Sequence, residues 1–292
     1  YHPNTAARSL ASPVLRTVGV LFRRQRSTID ANDLGYVDGV RRALEPSGIQ
    51  VVIPIVKSSA PLIELRSLVR SGALGGVILM DVAQGDEREA MLLKEGIPTV
   101  LIGSSGSSGG ALGVDTDFGQ MARAAVDHLA GLGHRRVVAL MRETSQDDSH
   151  ARQDQARELL RAAGALAVDV LVRQVPELAL AGGDIVGADG LVDGRTAVIS
   201  NNPAALVGLA CAAQAHGLSI PADLSVLTLG VTEYRGRHGE AFSELSVDRE
   251  AMGEAVGSLL LTRLRGEPAP VEHRTLMSAV LTDHGSTARC RD

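Results

Sequence analysis

The stretch VDTDFGQMARAAVDHLAGLGHRRVVAL (114–140) decides the fold. An extended lead-in runs into DFGQMARAAVDHLAGLG (117–133), which has helical periodicity and closes on glycine. RRVVALM (135–141) is then a short apolar run of strand character. The same alternation continues in both directions. Upstream, TVGVLF (17–22), VVIPIV (51–56), GGVILM (75–80) and PTVLIG (98–103) read as strands. Between them lie helices over DLGYVDGVRRALEPSG (33–48), PLIELRSLVRSG (61–72) and residues near 86–95. In the first of these, Leu34, Val37, Val40 and Leu44 keep helical spacing, and Pro46 with Gly48 closes it. The second has Pro at its start and Gly after its end. Downstream, helices over HARQDQARELLRAAG (150–164), 203–217 and REAMGEAVGSLLLTRLRG (249–266) alternate with strands at VDVLVRQV (168–175), TAVIS (196–200) and DLSVLTL (223–229). A short extended tail follows. Strand–helix alternation of this kind implies parallel sheets covered on both faces. The chain reads as α/β, with two similar halves and a return segment. The Gly- and Ala-rich stretch 165–195 carries the weakest pattern.

Bulk properties narrow the function. The 292 residues suffice for two domains, and 45% hydrophobic residues supply ample cores. A net charge of −5 excludes a surface that is basic throughout, as a general nucleic-acid binder would have. Cys211 and Cys290 are the only cysteines, too few for a disulfide framework or a zinc site, so a reducing cytoplasm is expected. No apolar run approaches a membrane span. Aromatic residues make up 2% of the chain, with no Trp, which leaves few rings on which a sugar could stack.

Three stretches together resemble the LacI/GalR family of bacterial transcription regulators: 114–140, IPADLSVLTLG (220–230) and LSVDREAMGEAVGSLLLTRLRG (245–266). Their order and spacing match along nearly the whole chain. The opening YHPNTAARSL (1–10) is similar to the end of that family's helix-turn-helix headpiece and its hinge helix, through Pro3, Asn4, Ala7, Arg8 and Leu10. The resemblance implies a DNA-reading headpiece before Tyr1 and a hinge or linker over residues 1–13. A segment that short is marginal as an isolated helix and folds against a partner. Asn4, Arg8 and Leu10 are its DNA-binding candidates, with Leu10 as a minor-groove wedge and Arg8 near phosphate.

The resemblance further implies a periplasmic-binding-protein-like (type I) fold of two Rossmann-like subdomains joined by three crossover segments. These are expected near Asp115, Val247 and Met277. They divide the chain into 14–115 with 248–276, and 116–247 with 277–292. A small-molecule effector would lie in the cleft outside the strand carboxyl ends. The partners implied are operator DNA, reached through headpiece and hinge, and a second copy of the chain in a homodimer that uses 33–44 and 61–72. No cofactor, metal or membrane partner is expected, and no enzymatic activity. A solute-binding protein of a transport system shares the fold and is the alternative.

Family members that bind sugars often hold hydroxyls with carboxylates at strand ends. Here Gly103 follows PTVLI and Gly230 follows DLSVLTL where the resemblance implies Asp. After TAVIS, Asn202 is taken as the Asn of an Asn–Asp pair whose acid is replaced by Pro203. Arg152 matches a ligand-contacting Arg, with Gln155 in place of the family's Gly three residues on. Arg23 and Arg24 follow the first strand, and Asp248 lies at the second crossing. Ligand candidates are therefore Arg23, Arg24, Arg152, Asn202 and Asp248. Guanidinium prefers carboxylate and phosphate, so an anionic metabolite and a neutral sugar both stand as effectors.

Two other features are set aside. Ser108 sits in a Gly-x-Ser-x-Gly match within GSSGSSGG (103–110), but no strand–turn–helix context surrounds it. The eight histidines show no metal-ligand spacing, and His134, in a helix–strand turn, reads as structural.

Overall fold

A computed structural model of the chain describes residues 17–23, 31–55, 61–107, 110–143, 150–176, 181–187, 190–231, 241–268 and 272–291. The hinge candidates Asn4, Arg8 and Leu10, together with Arg24 and Ser108, lie outside the described residues.

The described strands are β1 (Thr17–Leu21), β2 (Gln50–Val52), β3 (Gly76–Leu79), β4 (Thr99–Ile102), β5 (Leu112–Thr116), β6 (Arg136–Arg142), β7 (Asp169–Val175), β8 (Val186–Gly187), β9 (Gly190–Leu191), β10 (Ala197–Ser200), β11 (Ser225–Leu229), β12 (Ser243–Ser246), β13 (Arg274–Met277) and β14 (Val280–Thr282). The helices are α1 (Ala31–Leu44), α2 (Pro61–Arg70), α3 (Glu87–Lys94), α4 (Phe118–Gly131), α5 (His150–Ala165), α6 (Pro203–Ala215) and α7 (Arg249–Leu264). The first helix gives way to a 3-10 turn over Glu45–Ser47. Pro46 lies in that turn, and Gly48 closes it with a left-handed φ of 69°. The weakly patterned 165–195 stretch resolves into β7, 3-10 turns and the two-residue ladder β8–β9.

Two compact units divide the chain. One is built from residues up to 115 and 248–277, and the other chiefly from 116–247 and 278–292. The chain passes from one unit to the other at Asp115–Thr116, returns at Val247–Asp248, and crosses again at Met277–Ser278. Each unit has its own six-stranded sheet, in the order β2-β1-β3-β4-β5-β13 in the first and β7-β6-β10-β11-β12-β14 in the second. The ladders joining the first five strands of each sheet are parallel. The return segment supplies the sixth strand in both, and β14 runs antiparallel to β12.

Burial explains the continuous apolar runs. β3, β5, β10 and β11 are buried at every position, as strands covered on both faces must be. Leu21, Leu79, Leu92 and Leu101 lie in one core; Val138, Leu140, Val198, Leu206 and Phe242 lie in the other. α7 packs directly on α1 because glycines remove the side chains between the two backbones. A Cβ on Gly39 would meet the Glu250 carbonyl oxygen at 2.0 Å, and one on Gly253 would meet that of Tyr36 at 2.1 Å. Arg249, in the first turn of α7, stacks over the Tyr36 ring of α1 at 5.9 Å.

The first and third crossings are fastened within each unit. In the first unit the Arg274 guanidinium donates to the buried Asp115 carboxylate at 2.5 Å. In the second, Gln120 donates to the Ala279 carbonyl at 3.0 Å and accepts from its N–H at 2.8 Å. No described helix is long and apolar enough to cross a membrane.

Candidate functional site

In each sheet one pair of neighbouring strands sends its connections in opposite directions. The pair is β1 and β3 in the first unit, and β6 and β10 in the second. Ligands of open α/β sheets bind outside the strand carboxyl ends at such switch points. The residues that end these strands are therefore the candidate site, taken unit by unit.

At the first switch point, Arg88 braces both strand ends. It lies near the start of α3 and is 8% exposed. Its guanidinium donates to the Leu21 carbonyl at the end of β1 (3.3 Å) and to the Met80 carbonyl just past β3 (2.9 Å). Asp86 holds it with two further bonds, to Nε at 3.0 Å and Nη2 at 2.8 Å. The same carboxylate caps α3 through the Arg88 N–H and accepts the Ala83 N–H, both at 3.0 Å. Burial pushes the Asp86 carboxyl up. The Arg88 hydrogen bond and charge, with the two backbone donors, outweigh that and hold it below its ordinary value. Asp81, one residue beyond Met80, has a positive φ of 50°. Arg23, two residues past β1, is half-buried.

At the second switch point, Asn201 and Asn202 follow β10 and divide the work. Asn202 has no exposed surface. Its Oδ1 caps α6 by accepting the Ala204 and Ala205 N–H groups at 3.0 and 3.2 Å, and its Nδ2 donates to the Pro176 carbonyl at 3.1 Å. Pro203 opens the helix itself. Asn202 is therefore the helix cap, and Asn201 is the other asparagine that follows β10. Asn201 is the half-buried member. Its Oδ1 accepts the Arg142 N–H at the end of β6 (2.8 Å), and its Nδ2 donates to Gln155 Oε1 in α5 (2.6 Å). Gln155 is 7% exposed, and its Nε2 faces the Met121 sulfur at 3.6 Å. Arg152 lies in α5 three residues before Gln155; its side chain is outside the described residues.

Gly103 and Gly230 occupy equivalent places, one past the fourth strand of each parallel set. Each N–H donates at 2.8 Å to a carbonyl at the next strand, Val114 and Leu245 respectively. Their φ values, 108° and 63°, lie in the left-handed region that favours glycine. Asp248 is exposed, and its Oδ1 caps α7 through the Ala251 N–H at 2.9 Å. Arg23 follows β1 of the first unit's switch point and Arg152 lies in α5, whereas Asn202 and Asp248 act as helix caps.

Sequence reasoning missed Asn201, Gln155 as its partner, and the Asp86–Arg88 brace. A signal for the first was present: Pro203 at the start of a helix makes the residue before it the cap, which leaves Asn201 free for other work. No spacing rule announces a guanidinium that reaches two strand ends 67 and 8 residues away.

Elsewhere, His134 is 2% exposed. Nδ1 pairs with the Thr196 hydroxyl at 2.7 Å, and Nε2 with Ser225 Oγ and the Ala288 carbonyl, each at 3.0 Å. Among the described residues no group of His, Cys, Asp or Glu could hold a metal ion.

Comparison with known proteins agrees with this architecture. The family described as periplasmic binding protein-like domain matches residues 126–287, more than half of the chain. Catabolite control protein A of Staphylococcus xylosus is 24% identical over 301 residues, covering 98% of this chain and 86% of that protein. Its namesake in Priestia megaterium is 25% identical over 241 residues, covering 78% and 68%. A LacI family transcriptional regulator from Bifidobacterium animalis subsp. lactis superposes with a TM-score of 0.81 at 16% identity, over 95% of this chain and 100% of that one. The complex of the transcriptional regulator CelR with cellobiose gives 0.76 at 22% identity, over 96% and 88%.

Proposed function

This chain belongs to the periplasmic binding protein-like domain family, and from that premise we propose that it is the effector-binding core of a LacI/GalR-type transcription regulator, in which a small molecule bound at the strand carboxyl ends sets the DNA affinity of a homodimer. The observation that carries the reading is the polar cluster at the second switch point, where Asn201, Gln155 and the end of β6 meet. It lies where open α/β sheets bind ligands, and it offers hydrogen bonds that the fold does not fully use. The function is sensing rather than turnover. An effector shifts a two-state regulator only by binding one state more tightly than the other. DNA contact comes from a headpiece of the kind the family carries and from Asn4, Arg8 and Leu10, since a core of net charge −5 repels phosphate. Arg23, Arg24 and Arg152 are the cationic candidates for effector contact.

Thermal unfolding against neutral sugars, sugar phosphates, nucleotides and organic acids tests the reading. A ligand at about 100 times its Kd adds about 2.7 kcal/mol, a clear rise in Tm. We expect one class to stabilise the protein and Asn201→Ala to remove most of that rise. A stabilising ligand indifferent to both Asn201→Ala and Arg152→Ala sinks the proposed site.

A further inference from the structure

Each of the three crossings carries a charged residue on its first-unit side. Asp115 is the last residue before the first crossing, Arg249 follows the second at the start of α7, and Arg274 opens β13, which runs into the third. Two residues of α1 form the seat of Arg249. A Cβ on Gly35 would lie 3.2 Å from Arg249 Cβ and 3.8 Å from its Cδ, so glycine there leaves room for the stem. The guanidinium then lies over the Tyr36 ring at 5.9 Å and donates to the phenol oxygen. The main chain of the same residue meets α7 one turn on, since a Cβ on Gly253 would lie 2.1 Å from the Tyr36 carbonyl oxygen. Tyr36 therefore holds the start of α7 twice, through its ring and through its backbone.

The phenol also feels the first crossing. Burial raises its pKa, the Arg249 charge and hydrogen bond work against that, and the Asp33 and Asp115 carboxylates add to it. Asp115 is buried and accepts the Arg274 guanidinium at 2.5 Å. Two carboxylates, Asp33 and Asp115, and two guanidinium groups, Arg249 and Arg274, thus balance around one ring. In such a partly desolvated group each charge relies on the others, because withdrawing a cation leaves the carboxylates less compensated. The fastening of one crossing then depends on the fastening of the rest. We propose that Tyr36 is a positioning residue for the crossings: with Arg249 and the Asp115–Arg274 pair it holds the first-unit ends of all three segments as one cluster, so that they loosen together. A hinge that yields as a whole suits a regulator with two discrete states. Nothing in this arrangement depends on which effector binds.

The test is residue-resolved amide exchange on the full chain. The Gly113 N–H, bonded to the His273 carbonyl at 2.9 Å, reports on the first and third crossings. The Ala251 and Met252 N–H groups, bonded to Asp248 at 2.9 and 3.0 Å, report on the second. The Val77 N–H of β3, bonded to the Pro98 carbonyl at 2.9 Å, is the control within the same unit. Tyr36→Phe keeps the ring and removes only the oxygen. It should quicken exchange at Ala251 and Met252 by about tenfold or more, and at Gly113 by about threefold or more, with Val77 unchanged. Arg274→Met approaches the cluster from the other side and should quicken Ala251 and Met252 as well as Gly113. In the double variant its effect on Ala251 and Met252 should vanish. A response to Tyr36→Phe confined to Ala251 and Met252 is local packing and overturns the proposal. A rise shared by Val77 is a loss of stability across the unit and overturns it equally, as does no change at any of the four groups. Should Tyr36→Phe not fold, Arg274→Met decides alone, and a response confined to Gly113 overturns the shared cluster.

Discussion

Arg88 and Asp86 illustrate how a single pair fixes the geometry of a switch point. Neither residue contacts solvent appreciably, and the guanidinium is the only described group that reaches carbonyls at the ends of both β1 and β3. Removing one partner of a buried pair strands the other charge, at a cost of about 3–5 kcal/mol. Arg88→Met should therefore cost about that much in urea unfolding, with the loss confined to the first unit. Because the Asp86 carboxyl is held below its ordinary value in the fold, its contribution is full above the unfolded carboxylate pKa and is lost as pH falls through the folded one. The Arg88→Met cost should accordingly shrink in acid. A flat cost across that range would mean that the pair stabilises by packing alone. At this scale the sequence was least legible. It identified Asn202 as a polar residue at a strand end, but which of two adjacent asparagines caps and which faces outward depends on the helix that starts at Pro203.

At the scale of elements, the crossing of α1 and α7 rests on missing side chains. Alanine normally favours a helix over glycine by about 1 kcal/mol. At Gly253 it should do the opposite, since the added carbon would sit 2.1 Å from the Tyr36 carbonyl oxygen and force the helices apart. Gly253→Ala is expected to destabilise by about 1–3 kcal/mol through overpacking. Gly164→Ala in α5, where nothing lies within 4 Å of the new carbon, should be neutral or stabilise by up to about 1 kcal/mol. Denaturant midpoints of the two variants measured side by side decide it, and equal effects would refute the close-packed crossing. Elements are what the sequence made legible. Leu34, Val37, Val40 and Leu44 announced α1, and unbroken apolar runs announced β3 and β10. The 165–195 stretch was opaque because its glycines and alanines carry little periodicity, and beyond β7 its described elements are two-residue strands and 3-10 turns. One packing contact brings Gly182 against the Ala205 carbonyl of α6, where a Cβ would lie at 2.0 Å.

Across the whole molecule the histidines are unevenly placed. In the second unit, His134 joins β6, β10 and β11 to the tail through Thr196, Ser225 and Ala288, and His128 Nε2 pairs with Thr287 at 2.9 Å. Burial lowers both pKa values. For His134 the Ala288 carbonyl works the other way, as the Asp283 carboxylate does for His128. The unfolded rings therefore take up protons before the folded ones. Stability from these groups is full above the ordinary value of 6.5 and declines as pH falls through it. Amide exchange in β6 and β11 should quicken between about pH 7.5 and about pH 5.5 more than in β3, after correction for intrinsic rates. His134→Gln should flatten that difference, and a parallel response of the two units would exclude the histidines as its source. The repeated strand order was legible as two similar halves. The histidine clasp on the tail was not, because its partners lie 62 to 159 residues from the rings.

The late return of the chain to both sheets bears on how the protein is made. The first unit lacks α7 until residue 264 and β13 until residue 277 have been synthesised, and the second lacks β14 until residue 282. The two halves therefore reach completion within a few residues of each other. Until then both sheets wait with an open edge, so a nascent chain stalled short of residue 277 presents two unfinished sheets rather than one finished domain and one tail.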